Sequence, residues 1–320
     1  MVLIGALGIG GTNLHSAVMT DTGEFHTSMR TQPTDQRGLT SQVIDAVDEL
    51  CATADGELAA VSISCKGLVD RERGVIAGMN TPDGDMLEDI DVRSPITETF
   101  ELPCYLENDC SGAALAEYEF GAGTDYDSLA HVTIGTGIGG GVVDHGHLVR
   151  GDRNQAAEIG SITVGPPDGL EQFGIPGAWE AYCSGPGIAQ YVAAQLREES
   201  RATVLQNLDP VTPESVFAAA EHGDAVAAEY LETIAAYNAQ GCAILIKLFD
   251  PGVITLGGGV VLNNFEWFVD GIGTYLEQYL FDRPPAFVRT ALGEQIGMYA
   301  AVAGYRYLSE HEPVAPTIRA

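Results

Sequence analysis

The sequence predicts an α/β protein built from two domains. Three observations carry that expectation. Segments with the two-residue period of strands alternate with segments of helical period along the 320 residues. A chain of that length is ample for two domains sharing a cleft. One short pattern, Gly-Ile-Gly-Gly, also occurs twice, at positions 8–11 and 137–140, which implies a duplicated domain with two loops facing one cleft.

In each copy the glycines join two strands. Val2-Leu3-Ile4 precedes Leu7-Gly8-Ile9-Gly10-Gly11-Thr12-Asn13, and Leu14 to Met19 follows with rough period-two alternation up to a turn at Asp21-Thr22-Gly23. His131 to Ile134 precedes Gly135-Thr136-Gly137-Ile138-Gly139-Gly140-Gly141, and Val142-Val143 follows. Both read as glycine hairpins. A dinucleotide fingerprint or a Walker loop needs a helix directly after the glycines, so neither fits. A glycine hairpin is either a plain tight turn or a phosphate cradle, because backbone without Cβ atoms approaches closely and successive N–H groups form an anion nest. One copy leaves both readings open; the pair favours two loops on one ligand.

The remaining elements follow in order. Phe25 to Arg30 reads as a third strand, and Leu39, Val43, Val47 and Leu50 predict a helix over 38–54. Val61 to Ser64 is a strand leading into Cys65-Lys66-Gly67-Leu68-Val69-Asp70; Gly74-Val75-Ile76 then leads to a loop holding Asn80-Thr81-Pro82. A short helix from Pro95 to Phe100, a strand at Cys104-Tyr105-Leu106 and an alanine-rich helix from Ser111 to Phe120 come next, the last closed by Gly121-Ala122-Gly123. After the second hairpin, Glu158-Ile159-Gly160-Ser161 enters a Gly/Pro-rich segment, 165–177. Helices are expected over 179–198, 213–221 and 224–249, the second with Thr212 as N-cap and Pro213 at its first position. Val253 to Leu256 is a buried strand running into Gly257-Gly258-Gly259. A helix over 264–281, a strand at Phe287-Val288-Arg289 and a helix over 296–309 complete the pattern, with a loose tail from Glu312. The expected N-terminal domain is 1–115 plus 296–320, and the C-terminal domain 116–295.

Charge excludes some functions. The chain has 45 acidic and 15 basic residues, a formal charge of −30, and its lysines are Lys66 and Lys247. The acids are spread along the chain rather than gathered in one patch. Such self-repulsion is relieved by concentrated salt, so the composition reads as that of a halophile's cytoplasmic protein. Nucleic acid is disfavoured as a partner. The longest apolar run, near Ala243–Phe249, is interrupted by Lys247, so no membrane span is expected. The N-terminus enters a strand at once, without a basic leader, and no signal peptide is expected. Six cysteines without a C-x-x-C pair are expected to be reduced and mostly buried.

Three constellations could carry chemistry. Asp109 ends an apolar strand beside Glu107 and Asn108. A carboxylate at a strand's C-terminal edge can take the proton of a hydroxyl that attacks a phosphoryl group; equally, Asp109 can be the N-cap of the helix starting near Ser111. Glu158 and Glu180 flank the Gly/Pro-rich segment, and carboxylates so placed suit sugar hydroxyls, although solvated charge is the default for any one Glu in so acidic a chain. Gly257-Gly258-Gly259 suits close approach to an adenine or ribose, or is a tight strand-to-helix turn.

Taken in order, these segments resemble the ROK family (repressor, open reading frame, kinase) over nearly the whole chain. The likeness rests on Ile9-Gly10-Gly11-Thr12-Asn13, Glu107-Asn108-Asp109, Gly135 to Gly141, Ala157-Glu158-Ile159-Gly160, Glu180-Ala181-Tyr182-Cys183-Ser184-Gly185 and Leu256-Gly257-Gly258-Gly259. The resemblance implies two ribonuclease-H-like domains of the actin/hexokinase superfamily around a central cleft. It implies an ATP-dependent, glucokinase-like hexose kinase using Mg2+, with Asp109 as catalytic base at the sugar's 6-hydroxyl. Asn80, Asn108, Asp109, Glu158 and Glu180 would bind the sugar. Gly10, Gly11, Thr12, Asn13, Gly135, Thr136, Gly137, Gly257, Gly258 and Gly259 would bind ATP. A dimer or tetramer is implied as well.

Three departures from the family pattern matter. Gly8 stands where the family has the Asp that helps hold the Mg2+–phosphate hydration shell. Ser161, Glu171, Phe173 and Ala178 stand at the four ligand positions of the family's zinc, so no structural zinc is expected. Ser161 also replaces a His that contacts the sugar in many members, and Cys65-Lys66 replaces the usual residues ahead of Gly67. Gly8 motivates an alternative, a non-catalytic sugar- or nucleotide-binding protein of the same fold. A sugar-responsive repressor is disfavoured, because its DNA-binding segment would precede a strand that here begins at Val2.

Overall fold

The computed structural model describes residues 1–81, 83–281 and 283–312. Pro82 of the expected loop and the tail past Glu312 lie outside the described residues. The chain falls into two compact units, one of Met1–Asp125, Gly141–Ala156 and the described part of Ala291–Ala320, the other of Tyr126–Gly140 and Ala157–Thr290.

In the first unit, β1 (Leu3–Ile9) and β2 (Asn13–Thr20) form the first glycine hairpin, antiparallel, with Ile9 opposite Leu14. All seven residues of β1 are buried, as a central strand requires. The third strand is displaced from the expected 25–30: β3 is Arg30–Pro33, pairing from Ser16↔Arg30 to Asn13↔Pro33. His26 and Thr27 both donate to the Val18 carbonyl, so the chain bends there before the ladder resumes. Helix α1 (Leu39–Thr53) follows, then β4 (Leu58–Cys65), parallel to β1.

A small antiparallel sheet of β5 (Leu68–Asp70), β6 (Val75–Asn80) and β7 (Met86–Asp91) comes next. Its last strand carries no strand pattern in the sequence, because Glu88, Asp89 and Asp91 mask the alternation. Helix α2 (Arg93–Phe100), β8 (Cys104–Asn108) and α3 (Asp109–Phe120) complete the first run. The main sheet has order β3-β2-β1-β4-β8. On one face Leu7 and Ile9 pack with Val43, Val47 and Ile96 of the two helices.

In the second run, β9 (Ser128–Ile134), β10 (Ile138–Asp144) and β11 (His147–Leu148) are followed by a two-stranded ladder, β12 (Glu171–Gln172) and β13 (Ile175–Pro176). The helix expected over 179–198 is two: α4 (Trp179–Cys183) and α5 (Gly185–Leu196). Ser184 breaks it, extended at ψ 167°, its hydroxyl accepting from Gly187 N–H, with Pro186 in the first turn. Helix α6 (Pro213–Glu221) starts as read, with a Thr212/Ser215 capping box. Helix α7 (Ala225–Phe249), β14 (Val253–Gly257), α8 (Gly259–Asn263), α9 (Phe265–Leu276) and β15 (Ala286–Arg289) follow. The sheet order is β11-β10-β9-β14-β15. Both sheets thus run third, second, first, fourth, fifth in their own chain order, the duplication that the repeated glycines implied.

Helix α10 (Ile296–His311) returns to the first unit, where Met298, Ala301 and Val302 cover Ile4, Ala6 and Ala17. A Cβ on Gly8 would lie 3.3 Å from the backbone of Gly297 on this helix. Glycine at position 8 therefore lets strand and helix backbones approach. Among the described residues, no helix is long and apolar enough to cross a membrane. Among the described residues no cysteine is in a disulfide, and Cys65, Cys104, Cys183 and Cys242 are buried.

Candidate active site

The first unit gathers its polar groups at the C-terminal edge of three adjacent strands. Registers Ile9↔Cys65 and Cys65↔Asn108 align the ends of β1, β4 and β8. The next residues, Gly10, Lys66 and Asp109, therefore stand side by side, on the edge where open α/β sheets bind ligands. The first glycine turn is closed by Gly10 N–H donating to Asn13 O (2.9 Å). Its carbonyls are held from behind: Thr34 Oγ1 donates to Gly10 O and Gln36 Nε2 to Gly11 O. Thr12 and Asn13 are exposed at the tip.

Asn108, not Asp109, caps α3: its Oδ1 accepts from Cys110 and Ser111 N–H, and its Nδ2 donates to Gly67 O at 3.0 Å. That leaves Asp109 at the first helical position, with one oxygen accepting from Cys110 N–H. Burial pushes its carboxyl up to about 6, against the opposing pull of the Cys110 thiol, the Cys110 N–H and Lys66. A base with that value is ionised at neutral pH yet still proton-hungry, as general-base work requires. Glu107 is buried. It accepts from Asn108 N–H and meets the buried Arg71 guanidinium at 3.3 Å. Asn80, at the end of β6, is partly buried opposite Met86.

In the second unit, Glu180 braces the second glycine turn. Its Oε2 accepts from Ile138 N–H (2.7 Å) and its Oε1 from Gln172 Nε2 (3.0 Å). A Cβ on Gly137 would lie 2.7 Å from Oε2, so a side chain there would displace the Glu180 carboxylate or the turn. The neighbouring Trp179 fixes α4: it is fully buried, its Nε1 donates to Asn238, and its ring occupies the space left by Gly241. Glu158 is exposed at the start of a short 3-10 turn.

Gly135 O accepts from Gly185 N–H, which ties the glycine turn to the start of α5. Gly258, at φ 87°, passes so close to Ile134 that a Cβ would sit 2.4 Å from its carbonyl oxygen. These backbones open on a cavity of about 790 Å3 lined by Gly135, Thr136, Gly185, Pro213, Phe217 and Gly259, among others. The size suits a nucleoside-sized ligand, and the starts of α5 and α6 line it through Gly185, Pro186, Thr212 and Pro213. Gly137, Gly257 and Gly258 shape the turns without lining it. The walls from α5 and α6 were not read from the sequence; the Ser184-Gly185-Pro186 and Thr212-Pro213 helix starts were the available signal.

Among the described residues, no group of three His, Cys, Asp or Glu is placed to hold a metal ion. Gly8 at the head of the first turn offers no carboxylate to a metal ion, so Mg2+ would be held there through a nucleotide's phosphates. At the expected zinc-loop positions, Ala178 bridges Thr163 and Glu171 lies in the β12–β13 ladder, while Tyr182 Oη accepts from Leu170 N–H.

The ROK family profile matches residues 4–312. A glucokinase of Streptomyces coelicolor is 30% identical over 318 residues, covering 96% of this chain and 97% of its own. An N-acetylmannosamine kinase of Yersinia pseudotuberculosis is 32% identical over 257 residues, 80% of this chain and 83% of its own. The structure of a ROK family glucokinase from Streptomyces griseus in complex with glucose and AMPPNP superposes with a TM-score of 0.73 at 30% identity, covering 94% of this chain and 98% of that one. The α/β fold is that of the actin/hexokinase superfamily, as expected.

Proposed function

The chain belongs to the ROK family, and from that premise we propose that it is an ATP-dependent sugar kinase acting on the 6-hydroxyl of a hexose, glucose first among them. The observation that carries the reading is Asp109, a carboxyl raised to about 6 at the edge where the glycine turn and Lys66 also end. In this reading Asp109 accepts the hydroxyl proton while the sugar oxygen attacks the terminal phosphorus in line. Asn108 keeps the carboxylate oriented by capping its helix, and Asn80, Glu158 and Glu180 serve sugar hydroxyls on their own units. The cavity beside Gly135 takes the nucleoside. The acidic surface makes the protein salt-requiring.

The test is coupled ADP release in about 2–3 M KCl, where charge repulsion is screened, with Mg2+, ATP and a panel of hexoses and N-acetylhexosamines. Turnover that Asp109→Asn removes supports the kinase. Gly8 favours a second reading, a binder without catalysis. That reading predicts calorimetric sugar or nucleotide binding with no turnover on any sugar.

A further inference from the structure

Lys66 belongs to no motif, yet the fold pins it at the centre of the strand edge. Its N–H donates to Ile9 O at 2.8 Å. The next residue, Gly67, has φ 108° and gives its carbonyl to Asn108 Nδ2. A side chain on Gly67 would strike Gly78 O at 2.4 Å, so the left-handed turn that follows Lys66 is dictated by packing. The lysine backbone is thus bonded to the glycine turn on one side, and its neighbour to the Asp109 helix on the other. The ammonium reaches over the turn: Nζ is 3.3 Å from where a Cβ of residue 11 would be.

Basic groups are few in this chain, and many of them are engaged by carboxylates. The chain carries 45 acids against 15 bases, and arginines 30, 37, 71, 73, 150, 201 and 306 all meet carboxylates. Lys66 is partly buried, and among the described residues it makes no ion pair. A partly buried ammonium that acts on Asp109 through its field without a close ion pair, and that lies over a glycine turn, is placed for an anion from outside. A compact point charge suits a phosphate.

We propose that the Lys66 ammonium contacts the transferring phosphoryl group at the first glycine turn, supplying from the protein positive charge that the Gly8 position does not help to hold. The inference rests on the kinase reading for its catalytic consequence. The sugar oxygen bonds to phosphorus as the bond from phosphorus to the bridging oxygen breaks. ADP leaves with that electron pair, and the hydroxyl proton passes to Asp109. Negative charge on the equatorial oxygens during this step is what Lys66 would stabilise.

The test uses the full chain in high KCl and compares Lys66→Met with Lys66→Arg. Lys66→Met should lower kcat by about 10²–10³-fold, the size of losing one charge-stabilising donor, while calorimetric sugar affinity stays unchanged. Lys66→Arg should keep more activity than Lys66→Met. Independently of turnover, wild type should bind AMPPNP more tightly than ADP, and Lys66→Met should lose that preference by about tenfold. Wild-type kcat and an unchanged AMPPNP-to-ADP ratio in Lys66→Met would overturn the proposal. So would a folded Lys66→Arg, checked by circular dichroism, that is as impaired as Lys66→Met. If no sugar is turned over by wild type, the nucleotide ratio alone decides: its loss in Lys66→Met upholds the phosphate contact while the kinase reading fails, and its persistence removes both.

Discussion

The two glycine turns share a sequence and a hairpin, yet the side chains set against them carry opposite charge. Gly11 of the first faces the Lys66 ammonium; Gly137 of the second faces the Glu180 carboxylate. In the first turn the carbonyls of Gly10 and Gly11 are occupied by Thr34 and Gln36, and the charged group makes no ion pair. In the second each oxygen of the charged group already accepts one internal bond, from Ile138 N–H and from Gln172, which leaves its remaining lone pairs for a ligand. A duplicated backbone pattern therefore specifies geometry only. What surrounds it decides whether a turn is poised for chemistry or serves as a braced wall.

The sharpest way to break the comparison is at Asp109, which has no counterpart at the second turn. Asp109→Asn should lower kcat by about 10²–10⁴-fold, the range for losing a general base. The wild-type rate should fall as pH drops below about 6, where the carboxyl takes its proton. The same group should oppose stability. Its folded value lies above the ordinary carboxylate value, so the folded state binds the proton more tightly than the unfolded state. Its cost is fully present above about pH 6 and is relieved as pH falls toward 4. Asp109→Asn should accordingly melt higher than wild type at pH 7.5, and a lower melting temperature would contradict the assigned burial.

Next in size is the charge pair under the first turn's strand edge. Arg71 and Glu107 are both buried, and the pair supports the backbone that presents Asn108. Arg71→Met leaves an uncompensated carboxylate and should cost about 3–5 kcal/mol in chemical denaturation. Adding Glu107→Gln should recover part of that loss, since the neutral amide no longer needs a countercharge. If the double variant is as unstable as the single one, packing rather than charge dominates. Under the second turn the corresponding support is Trp179 against Gly241 and Asn238, mainly a matter of shape.

The same contrast explains what could be read in advance. Hairpins, the Thr212 cap and α10 were legible because each is written in a few consecutive residues. Ser184 broke an expected long helix because a Ser-Gly-Pro start outweighs an apolar periodicity that runs through it. Asn108 took the cap that Asp109 could equally have filled, and its amide is also tied to the Gly67 carbonyl, a contact that no local pattern announces. Lys66 was invisible as a site residue: its significance comes from the register of three strands far apart in sequence. Its rarity, one of two lysines, placed directly before a glycine at the end of an apolar strand, was the available hint. The cavity walls on α5 and α6 required tertiary packing that no local pattern encodes.

The smallest effects compare the turns directly, through one methyl group in each. In Gly137→Ala the new Cβ falls 2.7 Å from Glu180 Oε2, an atom tethered by its bond to Ile138 N–H. Either that bond breaks or the turn shifts, and about 1–3 kcal/mol of stability should be lost. In Gly11→Ala the Cβ falls 3.3 Å from Lys66 Nζ, the free end of a flexible side chain. The lysine can swing aside, so stability should change by under about 1 kcal/mol. Moving that ammonium should nevertheless lower kcat while leaving sugar affinity alone. Denaturation midpoints and kcat measured on both variants separate the two turns: the second should show the larger loss of stability, the first a loss of rate out of proportion to it. Equal stability losses would mean that Lys66 is held as rigidly as Glu180, and the contrast drawn from their partners would fail.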